Sequence, residues 1–245
     1  MLDLHNHLLP GVDDGPTTFE ESVAIARMCY LDGTRTIVAS PHSRDVTERS
    51  SISNVRSILN KLQSALDSHS IPIRLIFGME NHIELNTPEQ VKTGKHLPIG
   101  TTRFILIELP FEFYPFYTDD VIWKLHLAGL IPIIVHPERN RIIQHDPEIL
   151  YSLIQKGALS QITAGSITGT LGLNCNEAAK NLLRVNLVHL IASDTHAVAG
   201  IRKPDLADGV EAAGAIVGHT KAMKMVHDIP RDILEDKLPN LSIIT

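Results

Sequence analysis

The chain is short of cysteine, of aromatic residues and of basic excess, and it contains no long apolar run. Its 245 residues include two cysteines, Cys29 and Cys175. Two thiols cannot build a disulfide framework, which favours a reducing compartment and a cytoplasmic location. No stretch approaches the ~18–20 apolar residues of a membrane span, so membrane insertion is not expected. The start, Met1-Leu2-Asp3-Leu4-His5, lacks the basic and apolar regions of a signal peptide. Lys and Arg number 22 against 28 Asp and Glu, a net charge of −6, which argues against nucleic acid as a partner. Linkers, low-complexity tracts and solenoid repeats are missing too. Residues 1–245 therefore read as a single domain. Histidine is what the chain has in plenty. Thirteen His outnumber the six Phe, four Tyr and one Trp together. Imidazole has little packing value, so the excess suggests metal or phosphate chemistry.

Short apolar, β-rich runs alternate with amphipathic helical stretches. The expected strands are Leu2–Leu4, Thr36–Ala39, Ile73–Met79, Phe104–Leu109, Ile131–Val135, Leu159–Thr163 and Val188–Ala192. Thr18 with Glu21 three residues on predicts a capping box opening the first helix, with Phe19, Val23, Ala26 and Tyr30 on its apolar face. Gly33 ends that helix. Val55, Ile58, Leu59, Leu62 and Leu66 mark the face of the next. Further helices are expected near Asp119–Ala128, from Asp146-Pro147 to Gly157, over Asn176–Val185, and near Asp205–Val217, Thr220–Val226 and Pro230–Asp236. Such an alternation means βα units around a parallel sheet, closed or nearly closed into a barrel. Active sites of such barrels lie at the C-terminal ends of the strands.

Those ends are loaded. The first strand runs into His5-Asn6-His7 and the second into Ser40-Pro41-His42. The third ends in Gly78-Met79-Glu80, the fourth carries Glu108, and the fifth precedes His136-Pro137-Glu138-Arg139. The seventh ends in Ser193-Asp194-Thr195-His196. A lone His or Glu at a strand end is more often solvated or capping, but their joint placement is hard to explain that way. Residues i and i+2 of an extended segment point to one side, so His5 can face the same ion as His7, and Asp194 the same ion as His196. The donors are imidazole and carboxylate without thiolate, a set suited to Zn, Mn or Fe. There are more of them than one ion can take, implying about two to three divalent ions.

The His-x-His start, the run Val12-Asp13-Asp14-Gly15-Pro16 with Glu20-Glu21, His136-Pro-Glu-Arg139 and Ala192-Ser-Asp194-Thr-His196 resemble the polymerase-and-histidinol-phosphatase (PHP) superfamily. Within it they look like the bacterial manganese-dependent protein tyrosine phosphatases of capsule and exopolysaccharide synthesis. The resemblance implies a distorted (β/α)7 barrel of the PHP, TIM-barrel-like kind, with a trinuclear centre in which manganese is the favoured ion. His5, His7, Glu80 and Asp194 would hold one ion. A second would be held by Glu80, Glu108 and His136, with Glu80 bridging, and a third by Asp14, His42 and His196. Arg139 and Arg202 would match the family's phosphate-binding arginines. The implied partner is a phosphotyrosine protein, the tyrosine-rich tail of a bacterial tyrosine kinase. Three positions depart from the pattern: Asn140 replaces an aromatic residue, Arg202 comes one residue late, and Asp228-Ile229-Pro230 replaces Asn-Pro.

Hydrolysis of a phosphate monoester needs a nucleophile, charge neutralisation and in-line geometry. A metal-bridging water has its pKa lowered from 15.7 toward ~7 and can attack phosphorus as hydroxide. Planar arginine forks suit phosphate oxygens and stay protonated in any local field. Rival readings are a PHP phosphoesterase acting on histidinol phosphate or another small monoester, an amidohydrolase-type barrel, and a metal-stabilised scaffold without turnover. Cys29 and Arg35 match the spacing of cysteine-dependent tyrosine phosphatases. There the order is strand, loop, helix; here Cys29 lies within a helix and should be a half-buried apolar residue. Gly165–Gly172 reads as an ordinary glycine-rich loop, lacking the Gly-Lys-Ser/Thr ending of a phosphate loop. The aromatic cluster Phe111, Phe113, Tyr114, Phe116 and Tyr117 reads chiefly as hydrophobic cover, or as a wall for a substrate ring or partner tail. His82, His145 and His189 read as solvated or structural, and His69, His96, His126, His219 and His227 as helix or turn residues without a role.

Overall fold

Every strand of the computed structural model, which describes residues 1–240, pairs in parallel with its neighbour. The last five residues of the expected domain, 241–245, lie outside the described residues. One sheet is ordered β1 (Leu2–Asn6), β2 (Thr36–Ala39), β3 (Arg74–Phe77). The other runs β4 (Glu80–His82), β5 (Phe104–Glu108), β6 (Ile131–Val135), β7 (Leu159–Thr163), β8 (Leu190–Ala192). The expected third strand, Ile73–Met79, is thus split, and Glu80 opens a strand of its own. The break falls at Gly78, where an added Cβ would stand 2.9 Å from Val38 Cγ1. Only a residue without a side chain lets the backbone pass Val38 that closely.

The two sheets approach each other at both edges without forming one ladder. Isolated bridges join Asn6 to Thr195 and His42 to Glu80. The expected distorted (β/α)7 barrel is therefore met in its parallel α/β strand order, but its ring of backbone pairs is not closed. Interruption at Gly78 on one side and the brevity of β8 on the other account for this.

Both faces of the strands are buried, as continuous apolar runs require. Along β5, Phe104 and Leu106 join an inner core with Leu4, Val38, Ile133 and Val135. The alternate residues Ile105 and Ile107 face outward, packing with Val121, Ile122 and Leu125 of helix Thr118–Leu127. Ile229 and Ile233 of helix Asp228–Leu234 add to the inner core.

The capping box of helix Phe19–Leu31 is present: Thr18 Oγ1 accepts from Glu21 N at 3.2 Å, and Glu21 Oε2 accepts from Thr18 N at 3.3 Å. Its fully buried stripe is Ser22, Ile25, Ala26 and Cys29, which shares Ala26 with the expected face, while Phe19, Val23 and Tyr30 are partly buried and pack against the same core. The helix packs against helix Ile52–Ser68. Helix Ile52–Ser68 buries Val55, Leu59, Leu62 and Leu66 as expected. The short helices Ser43–Arg49 and Arg141–His145 carry too few turns for a periodic pattern and were not expected. Gly165–Gly172 is not simply a loop, since its first four residues belong to the short helix Ala164–Thr168.

Candidate metal centre and phosphate site

The loops leaving the strands converge on one cluster. His5 is the penultimate residue of β1, and His7 follows the strand; their Nε2 atoms lie 3.0 Å apart. His42 follows β2, and its Nδ1 comes 2.7 Å from Glu80 Oε2. Glu80 Oε1 takes His136 Nε2 at 2.7 Å and lies 3.4 Å from His5 Nε2. Asp14 Oδ1 reaches from the loop before the first helix to 3.1 Å from His196 Nε2 and 3.3 Å from His42 Nε2. Asp194 Oδ1 stands 3.6 Å from His7 Nε2 and 3.7 Å from His5 Nε2. All nine expected ligands therefore sit in or at the edge of one site, Glu108 reaching it beside Glu80 and His42.

Donor atoms fall into three overlapping tight groups: His5, His7, Glu80; His42, Glu80, Glu108; and His7, Asp14, His42, His196. This differs from the expected partition at two points. His42 stands with Glu80 and Glu108, where His136 was expected, while His136 approaches Glu80 alone. His7 also closes on the Asp14 group, its ring stacked on His196 at 3.9 Å.

The donor set fits metal ions. Glu80 Oε2 and His196 Nε2 are buried with no hydrogen bond, despite the nitrogens and oxygens around them. Such atoms would cost free energy if nothing else met them. The imidazoles are also oriented from behind. Asp13 Oδ2 takes His7 Nδ1 at 2.7 Å, and the Asp194 carbonyl takes His196 Nδ1 at 2.9 Å. Each contact places a proton on Nδ1 and turns the Nε2 lone pair inward, as ligating histidines require. Gln161 lies 3.1 Å behind His5 Nδ1, and its buried Oε1 is unpartnered. Turning that amide over puts the oxygen on His5 Nδ1–H, giving His5 the same tautomer.

Charges compensate one another throughout. Burial opposes the charged form of His7, but Asp13 and Glu80 outweigh it and raise His7 to about 9. Burial likewise opposes His42, which Asp14 and Glu80 raise to about 11. Glu80 is held well below the usual carboxylate range: burial opposes ionisation, and His5, His136 and His42 overcome it. Burial, helped by His7, takes His196 down to about 4. Two of the expected ligand positions also carry backbone strain, with φ of +35° at His136 and +53° at Asp194. Such conformations cost roughly 1–3 kcal/mol each and persist where a site demands them.

Two arginines stand over this cluster. Arg139 Nη1 donates to Asp194 Oδ2 at 3.0 Å, and Arg202 Nη2 to Asp194 Oδ1 at 3.2 Å. Arg202 Nη1 also donates to Asp14 Oδ2 at 3.1 Å, so its late position in the sequence does not keep it from the site. The Arg139 guanidinium lies 4.3 Å from the centroid of the Phe111 ring, which meets His136 edge-on. Asn140, another of the three departures, is a fastener. It caps helix Arg141–His145 and donates to Pro110 O at 2.5 Å and Phe113 O at 3.0 Å, tying the arginine's turn to the aromatic loop. Glu138, buried between them, accepts from Thr163 N at 2.9 Å and anchors the same turn to β7.

The geometry puts several other residues in their places. Cys29 is buried at 2% exposure rather than half-buried, and burial pushes its thiol well up. Arg35 lies on the Tyr30 ring and donates to Tyr30 O, away from the cluster. His96, expected in an open turn, is buried, and burial lowers it to about 4. His82 contacts Glu108 at 3.2 Å. Of the aromatic cluster, Phe113 and Phe116 are exposed rather than cover, while Tyr114 and Tyr117 pack on the core. Sequence reasoning missed Asp13 and Gln161. Asp13 sits inside the Asp-Asp-Gly-Pro run, and Gln161 is a polar residue in a buried strand whose end bears no His or carboxylate.

A family model for capsular polysaccharide synthesis proteins, CpsB/CapC, matches residues 1–235. The chain belongs to this family. It is 38% identical over 198 residues to the tyrosine-protein phosphatase YwqE of Bacillus subtilis, covering 81% of this chain and 78% of that protein. The putative tyrosine-protein phosphatase CapC of Staphylococcus aureus is 36% identical over the same shares. A solved structure, described as YwqE from Bacillus subtilis and CpsB from Streptococcus pneumoniae, unique metal-dependent tyrosine phosphatases, superposes with a TM-score of 0.90 at 32% identity, over 98% of this chain and 96% of that one. A β-aspartyl dipeptidase from Fervidobacterium islandicum AW-1 matches at TM-score 0.55 and 11% identity over 95% of this chain and 74% of that one, a likeness of fold alone.

Proposed function

We propose that this CpsB/CapC family member is a metal-dependent protein tyrosine phosphatase that hydrolyses phosphotyrosine on a protein partner. The observation that carries the reading is the convergence of Arg139 and Arg202 on Asp194, directly over the His and carboxylate cluster. His5, His7, Glu80 and Asp194 would hold one divalent ion, Glu80, Glu108 and His136 a second, and Asp14, His42 and His196 a third. The tight donor groups support the first and third of these sets closely. Their mixed imidazole and carboxylate character suits manganese, with iron or zinc as alternatives. When bound, such ions supply hydroxide at neutral pH and neutralise charge on the phosphoryl oxygens.

The chain's own side chains perform the remaining work. Arg139 and Arg202 present forked donors to the phosphoryl oxygens, where charge builds in the transition state. Asp13, Gln161 and the Asp194 carbonyl fix the imidazole tautomers. The Phe111 ring keeps water from one face of the Arg139 guanidinium, strengthening its field at the phosphate. A phenolate is a good leaving group, so protonation of the ester oxygen matters less than for a serine ester. By the same reading, the natural substrate is the tyrosine-rich tail of a kinase controlling capsule synthesis, and the enzyme works in the cytoplasm. Among the described residues, no helix is long and apolar enough to cross a membrane.

The test is elemental analysis coupled to a substrate panel, with and without chelator. Phosphotyrosine peptide should be turned over far faster than phosphoserine peptide or histidinol phosphate, with chelator abolishing activity and manganese restoring it. Comparable turnover of histidinol phosphate would shift the reading to a small-monoester phosphatase. Unimpaired activity in a metal-free preparation would end it.

A further inference from the structure

A cavity of about 580 Å³ opens beside the cluster, and three of its lining residues are Asp14, His196 and Arg202. That volume lies within the roughly 300–1,000 Å³ typical of small-molecule sites. Beyond those three residues the chemistry changes. Pro16 and Ile25, together with the polar Thr17 and Glu21, form one wall, and Val198, Ala199 and Ile201 the other. We propose that this cavity receives the aromatic ring of the phosphotyrosine side chain and gives the site its preference for aryl over alkyl phosphates. The inference rests on the phosphatase reading and adds where the substrate's ring lies.

Connectivity of the ester supports this. Arg202 borders both the cavity and the arginine pair over Asp194. A phosphoryl group held there has its ester oxygen at the cavity mouth. In a tyrosine ester the next atoms are a flat apolar ring. In a serine ester a single methylene separates that oxygen from the peptide backbone, whose polar groups would have to enter a largely apolar space. The two walls are also pre-organised. Glu21 Oε2 accepts from Thr17 N at 2.7 Å as well as from Thr18 N at 3.3 Å, pinning the wall that carries Pro16. At Gly15 an added Cβ would lie 2.1 Å from the His7 carbonyl oxygen, so this turn is pressed against the cluster itself. Opposite, the 197–201 excursion is pinched at its base, with His196 N and Ala197 N both donating to Arg202 O, at 2.9 and 3.2 Å. Val198 and Ile201, at 39% and 61% exposure, have apolar surface free to cover a ring.

The experiment compares phenylphosphonate with methylphosphonate, each titrated calorimetrically into manganese-loaded protein. Burial of a phenyl ring should make phenylphosphonate bind about tenfold tighter or better in the wild type. Ala199→Trp fills the cavity, and the pair Val198→Ala with Ile201→Ala strips its wall; none of these residues is an expected ligand or one of the two arginines. Both variants should bring the two affinities close together while methylphosphonate binding stays as in the wild type. Equal affinities in the wild type would overturn the proposal. So would a preference that survives both variants, or one abolished instead by Phe111→Leu, which would place the ring against the opposite side of Arg139. Phosphotyrosine hydrolysis is measured separately. Its absence alongside an intact ring preference would sink the phosphatase reading and leave the assignment of the cavity standing.

Discussion

Glu80 and Arg139 illustrate how differently two site residues should fail. Glu80 belongs to two of the tight donor groups and contacts His5, His42 and His136. Glu80→Ala should therefore lower bound metal as well as turnover. The Arg139 guanidinium meets the cluster through Asp194. Arg139→Ala should keep the wild-type metal content while turnover on phosphotyrosine peptide drops about a hundred- to a thousandfold. Elemental analysis beside steady-state kinetics reads both, and a fully active Arg139→Ala enzyme would remove the arginine from phosphate binding. Away from the centre, His189 is a buried histidine with a defined pH signature. Burial lowers it to about 4, and its Nδ1 accepts from Ser160 N at 3.1 Å, a bond that protonation would break. Because the folded pKa lies below the unfolded value of about 6.5, the stabilisation is complete above pH 6.5 and is lost as pH falls toward 4. The loss should not exceed about 3 kcal/mol. His189→Asn keeps an acceptor without titrating, so its unfolding free energy should fall less steeply than the wild type's over that range. Parallel slopes in urea titrations would refute this.

At the scale of elements, the decisive piece is the one-turn segment Pro137–Arg139 and the short helix after it. His136 enters this turn in the left-handed region, and Glu138 and Asn140 fasten it below. Asn140 caps the helix through Ile142 N and Ile143 N, both at 3.0 Å, and occupies the carbonyls of Pro110 and Phe113. Asn140→Ala removes the cap and leaves both carbonyls unpaired, which should cost about 2–4 kcal/mol. Turnover should drop with it, since Arg139 and Phe111 lose their common anchor. Denaturant midpoints unchanged from the wild type would show that the fastening is unimportant. An aromatic residue at this position could fill the space but could not pair these groups.

For the molecule as a whole, the cluster is a concentration of carboxylates and imidazoles contributed by six strand ends and one loop. Without ions, Glu80 Oε2 and His196 Nε2 make no hydrogen bond, although His42 Nδ1 and Asp14 Oδ1 lie close to them. Ions binding the folded chain and not the unfolded one should stabilise it by linkage, about 2.7 kcal/mol at a free concentration one hundred times the Kd. The thermal midpoint should climb as manganese is titrated into chelator-treated protein and return to its starting value on adding chelator. A midpoint indifferent to transition metals would contradict a metal centre built into the fold.

Much of this was legible in the chain itself. Apolar runs of strand length fixed most of the strand positions, because a strand buried on both faces must be apolar along its length. The Thr18 and Glu21 pair placed the first helix start, since that cap is made within four residues. His5, His7, His42, Glu80, Glu108, His136, Asp194 and His196 could be picked out because parallel strands deliver their C-terminal ends to one side. What the chain could not disclose depended on contacts between residues far apart in sequence. The split at Gly78 arises from the approach of Val38, forty residues earlier. Asp13 and Gln161 matter through the ring nitrogens behind which they lie, and no local spacing records that. Arg202 reaches Asp194 because its loop folds back on His196, which outweighs the extra residue in its spacing. The first helix fully buries Ser22, Ile25, Ala26 and Cys29 because neighbouring elements, not periodicity, decide which face of a mixed helix is covered. Residue chemistry and local hydrogen bonding are written along the chain; closure, tautomer and the walls of the ring cavity exist only once distant segments meet.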